Sequence, residues 1–219
     1  MDELKSRKRI LRRFKFCTDT DVITTKGRIA CEISTGDEIM LTELLLDGEF
    51  SNLTGQQLVA FLSCFVFEEF VNEIIEPQND LDKSLEKMKE LARHISRVSK
   101  ECRLEVYPAT DEKAYVENFK LGLIEIVRAW AKGSTFIKLC ENTNIYEGSI
   151  IRCIRRLDEL LGQLYESSRV IGNIQLEKKF GEGNTYLFIC LFLYMCISAS
   201  QLIKRGIIFS SSLYLATDK

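Results

Sequence analysis

The chain has 219 residues, of which 28% are charged, and its 30 Lys and Arg against 32 Asp and Glu give a formal net charge of −2. A chain of this length buries one good core, or one domain with an appendage, and is too short for a motor. The balanced charge excludes a global field that draws the protein to nucleic acid, so any such contact must come from a local patch.

The N-terminus is charged rather than apolar and does not read as a signal peptide. Lys5 to Lys15, KSRKRILRRFK, is the one dense basic segment. Ile10, Leu11 and Phe14 at helical spacing predict a basic amphipathic helix, with a localisation signal or an RNA-contacting arm as the other readings. Residues 20–34 alternate around Lys26-Gly27, and glycine's access to positive φ predicts a short β-hairpin there.

Beyond it the pattern is helical. Asp37 to Leu46 is apolar at Ile39, Met40, Leu44 and Leu45 and stops at Gly48. Thr54 and Gln57 form a capping box for a core helix from Gln56 to about Glu68. Glu76-Pro77-Gln78-Asn79-Asp80 reads as a loop, and Leu81 to Cys102 as a long amphipathic helix. After Tyr107-Pro108, one helix is expected from Glu112 to Lys132, carrying Trp130 as a core anchor and closing on Gly133. Ser134 is expected to cap a short helix, Thr135 to Cys140, which turns through Asn142-Thr143-Asn144 into a longer basic one.

That last helix carries the strongest signal. Ile150, Ile154, Leu157, Leu161 and Leu164 recur at three- and four-residue steps and should be buried on one face. Arg152, Arg155, Arg156 and Glu159 share another. Arginine offers phosphate a planar fork and a base a flat face for stacking, while a glutamate one turn on can accept from a base or ribose or fix an arginine. The plain alternative is a solvated, salt-bridged face. Short helix, turn and basic helix also outline a helix-turn-helix, a third reading that predicts duplex DNA preference.

Several chemistries lack their residues. The eight cysteines form no C-x-x-C pair and read as buried free thiols of a reducing compartment. His94, the single histidine, has no cysteine at metal-ligand spacing and reads as a surface or boundary residue, so no metal site is expected. There is no G-x-S-x-G for a nucleophilic triad and no phosphate-binding G-x-x-x-x-G-K-[ST], so no catalytic residue is expected and the chain alone should not hydrolyse ATP. Tyr186 to Ile203, YLFICLFLYMCISASQLI, is uncharged over eighteen residues and reaches the lower limit of a membrane span. Basic residues flank it on both sides and give no clear orientation.

Lys26-Gly27-Arg28-Ile29-Ala30-Cys31-Glu32-Ile33-Ser34, Leu62-Ser63-Cys64-Phe65-Val66-Phe67, Thr135-Phe136 and Glu147-Gly148-Ser149-Ile150-Ile151-Arg152, in that order, resemble one family. It is the C-terminal helical domain, DSHCT, of the DExH-box RNA helicases that feed the RNA exosome, in the wording of the nuclear Mtr type rather than the cytosolic superkiller type. The resemblance runs from about residue 8 to 215, excepting the late apolar stretch. It implies a helical domain, which with the hairpin read above gives a mainly α fold, a helical bundle with a short N-terminal β-hairpin. Residues 1–36 would be the basic helix and hairpin joining an upstream winged-helix region, and 37–215 the DSHCT domain.

By resemblance the domain closes the ring over the RNA channel of an ATP-driven 3′-to-5′ helicase that delivers RNA to the nuclear exosome. Its ratchet helix resembles Ser149 to Gly172, where the family's RNA-contacting arginine and glutamate fall on Arg156 and Glu159, with Arg152 one turn earlier. ATP and Mg belong to RecA-like motor domains expected upstream, so no cofactor is expected on this chain. Implied partners are single-stranded RNA, the upstream RecA-like and winged-helix domains, the exosome and its adaptor proteins, and the implied location is the nucleus. One departure is an extra apolar segment at about 185–202, between Lys179-Phe180-Gly181-Glu182-Gly183 and Ile203-Lys204-Arg205. It reads as a retained intron or mispredicted exon, with a tail anchor as the other reading. The rival overall is a non-catalytic helical scaffold, membrane-tethered through 186–203.

Overall fold

The computed structural model of the chain describes residues 2–69, 79–106, 108–141 and 143–187. Nine helices follow one another there: α1 Asp2–Arg13, α2 Thr25–Cys31, α3 Glu38–Leu46, α4 Gly55–Val66, α5 Asp82–Glu101, α6 Glu112–Glu117, α7 Ile124–Ala131, α8 Phe136–Glu141 and α9 Glu147–Ile171. Residues 174–187 are helical as well and are called α10.

α4 is the axis of the core. The Thr54–Gln57 capping box starts it, and every residue from Leu58 to Val66 is buried. A helix apolar on all sides needs neighbours on all sides, and α4 packs against α7 and α9. Edge-to-face rings extend this core: Phe61 meets Phe50 and Phe65, Phe65 meets Phe119, and Phe50 meets Phe180 of α10. α10 is held by Lys179, whose ammonium donates to the carbonyls of Phe50, Ser51 and Leu53 at 3.1, 2.7 and 2.7 Å.

The expected β-hairpin is not formed. Among the described residues the only β pairing is an isolated bridge between Cys17 and Ile23. Thr24 then caps α2 by accepting from the Gly27 N–H at 3.1 Å. Ile29 of α2 and Ile33, just beyond its end, are both buried. Gly27 does not serve a turn: a Cβ there would lie 2.2 Å from the Phe16 carbonyl oxygen, and the glycine lets two backbones touch. Within residues 20–34 the residue with positive φ is Asp21, at 63°, braced by Lys8 at 2.9 Å and Arg12 at 2.7 Å.

The single helix expected over Glu112–Lys132 is two. The chain leaves α6 after Glu117 and inserts Phe119 between the Phe65 and Tyr115 rings, with centroids 5.3 and 5.7 Å away, before α7 begins. Trp130 is a core residue, 2% exposed and edge-on to Phe136, and α7 closes at Gly133 with φ of 90°. The N-terminal basic segment is the amphipathic helix α1, seated through Ile10 and followed by buried Phe14. The thiols are less uniformly buried than expected: Cys64 and Cys153 are buried, Cys17, Cys102 and Cys140 half-buried, and Cys31 exposed. Cys190 and Cys196 lie outside the described residues, as do most of the apolar stretch from 186 and the Pro77 loop. Among the described residues no helix is long and apolar enough to cross a membrane.

Candidate nucleic-acid interface

The predicted apolar stripe of α9 is buried without exception. Ile150, Ile154, Leu157, Leu161 and Leu164 are each 1% exposed or less, against α4 and α2. This anchoring fixes the rotation of the helix, so its opposite face is presented in one orientation. That face carries Arg152, Arg155, Arg156, Glu159 and, one turn further, Gln163, residues that stack at three- and four-residue steps.

Two of the arginines are engaged. Arg152 Nη2 lies 2.5 Å from Glu69 Oε1 and donates to Ser149 Oγ at 3.1 Å. Arg156 Nη1 lies 2.6 Å from Glu68 Oε1, and its Nη2 reaches the Thr35 carbonyl at 3.5 Å. Glu68 and Glu69 stand just past the C-terminal end of α4. Arg155 and Glu159 point outward, exposed, with no side-chain partner among the described residues. The Ser149 hydroxyl contributes most to holding the Glu69 carboxyl below the usual carboxylate range; burial opposes it and Arg152 adds to it.

Gln163 fastens the other end of the face. Its carbonyl oxygen accepts from the Ser34 and Thr35 N–H groups at 2.9 and 3.1 Å, and its amide donates to both hydroxyls at 3.0 and 2.8 Å. The stripe is therefore a shallow strip between the end of α4 and the turn before α3.

Both partner ion pairs are largely exposed, with side-chain exposures of 67% and 44% for Arg152–Glu69 and 38% and 73% for Arg156–Glu68. Pairs of this kind contribute about 0–1 kcal/mol each. They orient the guanidinium forks while leaving them cheap to release to a better acceptor such as phosphate. Spacing placed the four α9 residues on one face but gave no sign of Glu68, Glu69 and Gln163, the residues that contact or flank it. The only prior signal was an acidic pair at the end of an apolar helix, which says nothing about its target. Among the described residues no three His, Cys, Asp or Glu side chains converge as metal ligands.

Residues 20–187 match the DSHCT (NUC185) domain family. Over 215 residues, 98% of this chain, the sequence is 46% identical to the exosome RNA helicase MTR4 of Mus musculus. It is 44% identical over 218 residues to the ATP-dependent RNA helicase mtr4 of Schizosaccharomyces pombe, and 39% identical over 214 residues to the DExH-box ATP-dependent RNA helicase DExH9 of Arabidopsis thaliana. The chain spans about a fifth of the length of these relatives, 18–20% of each.

Proposed function

The chain belongs to the DSHCT domain family, and on that premise we propose that it forms the wall of the RNA channel in an ATP-dependent 3′-to-5′ helicase that delivers RNA to the nuclear exosome. One observation carries this: α9 is locked by its apolar face and turns Arg152, Arg155, Arg156 and Glu159 outward together. The names of the relatives, exosome RNA helicase and DExH-box RNA helicase, support the setting.

In this reading a backbone phosphate takes the place of Glu68 on Arg156 or of Glu69 on Arg152, and the displaced carboxylates, with Glu159, accept hydrogen bonds from bases or ribose. Arg155 stacks on a base or meets a second phosphate. A stacked base contributes about 1–3 kcal/mol, enough to hold a strand between steps of a motor and too little for tight binding by this domain alone. The chain itself contributes no catalytic residue, cofactor or metal ligand. ATP and Mg act in RecA-like domains of the whole helicase, residues 1–36 are the segment joining a winged-helix region, and 37–215 belong to the DSHCT domain, interrupted by the apolar segment at about 185–202. The other partners are the exosome and its adaptors, in the nucleus.

The ion pairs to Glu68 and Glu69 favour one rival, in which the arginines only brace a helical scaffold. Ultraviolet crosslinking of single-stranded RNA to the intact helicase, read by peptide mass spectrometry, separates the two. Adducts within 149–172 are expected; their absence, with adducts elsewhere in the channel, contradicts the proposal.

A further inference from the structure

The cations of α1 fall into two groups. On one edge Lys8 and Arg12 are tied to Asp21 at 2.9 and 2.7 Å, and Arg7 to Glu3 at 2.9 Å. On the edge facing α5 the pairing is loose. Arg13 Nη2 stands 3.6 Å from Glu101 of α5, and on α5 itself Arg97 Nε stands 3.9 Å from Glu112 of α6 while donating to the Arg93 carbonyl at 3.3 Å. Both separations exceed hydrogen-bond reach, so neither fork is satisfied by a carboxylate.

These two arginines line a hollow of about 170 Å³ in the α1–α5 seam together with His94, Phe14, Val98 and the carboxylate of Glu101, the one acidic group on its wall. The His94 ring packs edge-on to Phe14, 5.6 Å between centroids, which sets its orientation at the hollow. Further cations lie at the C-terminal end of α5 and just beyond it, beside Arg9 of α1. Arg9 reaches the Cys102 carbonyl at 3.5 Å, and Lys100 and Arg103 line a second hollow with Glu105 and Thr110. Glu101, Glu105 and Glu112 share this face, and five cations, Arg9, Arg13, Arg97, Lys100 and Arg103, face them.

We propose that the α1–α5 seam is a second phosphate-binding site, in which Arg13, Arg97 and His94 take one backbone phosphate of an RNA strand and Arg9, Lys100 and Arg103 its neighbours. Planar guanidinium forks match phosphate oxygens, and an anion hollow flanked by cations along a seam suits a chain of phosphates rather than one isolated anion. None of its residues belongs to the α9 strip, so the proposal does not depend on the reading of α9 and rests only on the proposed setting in an RNA helicase.

The test uses the intact helicase with an Arg13→Gln, Arg97→Gln double variant, and a Lys8→Gln variant as a control for loss of charge from the opposite edge. Both arginines are more than half exposed, at 67% and 59%, and wild-type melting temperature is the folding check. Single-stranded RNA is expected to crosslink to α1 and α5 peptides in the wild type and control but not in the double variant. The slope of log affinity on log salt is expected to fall by about 0.7 per lost phosphate contact in the double variant. These crosslinks persist when α9 is charge-reversed, which separates the two sites. Three results overturn the proposal: RNA crosslinks and salt slope unchanged in the double variant, binding of inorganic phosphate with no RNA crosslink in the seam, or capture of an acidic peptide there in preference to RNA.

Discussion

Arg156 of α9 and Glu68 beyond the end of α4 meet at 2.6 Å, across 88 positions of sequence, and that pair defines one wall of the candidate RNA path. The guanidinium is held in place before any ligand arrives, by a carboxylate that is itself 73% exposed. In the proposed function a ligand phosphate would meet an oriented fork and displace a weakly held partner.

The salt dependence of RNA binding follows from this. Each phosphate neutralised on a single strand contributes about 0.7 to the slope of log affinity against log salt. Arg156→Gln should lower that slope by about 0.7, and Arg152→Gln by a similar amount, both measured by fluorescence anisotropy titrations at several salt concentrations. A slope unmoved by either change returns these arginines to a bracing role.

Gly27 is the most constrained glycine of the N-terminal segment. A methyl group placed on it meets the Phe16 carbonyl oxygen at 2.2 Å and Ile23 Cγ2 at 2.8 Å. Gly27→Ala should destabilise the fold by about 3 kcal/mol or more, at the upper end of overpacking costs, because a backbone atom must move. A chemical-denaturation midpoint close to that of the wild type argues against the close approach.

The α9 faces, the capping box and the role of Trp130 were legible because each depends on local spacing, and spacing survives in sequence. Gly27 was misread because glycine answers two demands, positive φ and close approach, and sequence does not say which. The break between α6 and α7 was hidden because Phe119 fits a helical apolar stripe as well as it fits the gap between Phe65 and Tyr115. The partners of Arg152 and Arg156 were illegible for another reason: contacts between residues some 80 positions apart leave no periodic trace.

Asp80 anchors the buried Arg128, which is 3% exposed, with Nη1 at 2.7 and 2.8 Å from its two oxygens, and it also accepts from Gln57 at 2.6 Å. Burial pushes the Asp80 carboxyl up, but the hydrogen bonds from Gln57 and Arg128 and the Arg128 charge outweigh it and hold it below its ordinary value. A depressed folded-state pKa contributes stability that is present above the unfolded value, about 3.9, and is lost as pH falls through the folded one. Asp80→Asn should cost about 1–2 kcal/mol at pH 7, discounted for the exposed half of the carboxylate. The gap between variant and wild type should narrow below about pH 4 in urea unfolding curves. A gap constant from pH 7 to 3 rules out this linkage.

Thiol reactivity should follow burial. Burial raises the Cys153 thiol to about 12, with a smaller opposing pull from Arg156, and burial raises Cys64 further. Under native conditions at pH 8, iodoacetamide should label Cys31 within minutes while Cys64 and Cys153 stay unlabelled until the protein is denatured, as read by peptide mass spectrometry. Early labelling of Cys153 shows that α9 is not seated as described.

The central claim is that the outward face of α9 touches RNA. The most direct measurement compares RNA unwinding and single-strand crosslinking by the intact helicase with and without the double change Arg156→Glu, Glu159→Arg, which preserves net charge and leaves the buried stripe untouched. The account predicts that crosslinks to α9 disappear and unwinding falls while melting temperature and ATP binding are retained. Unchanged crosslinking and unwinding would contradict it and leave α9 as a structural support.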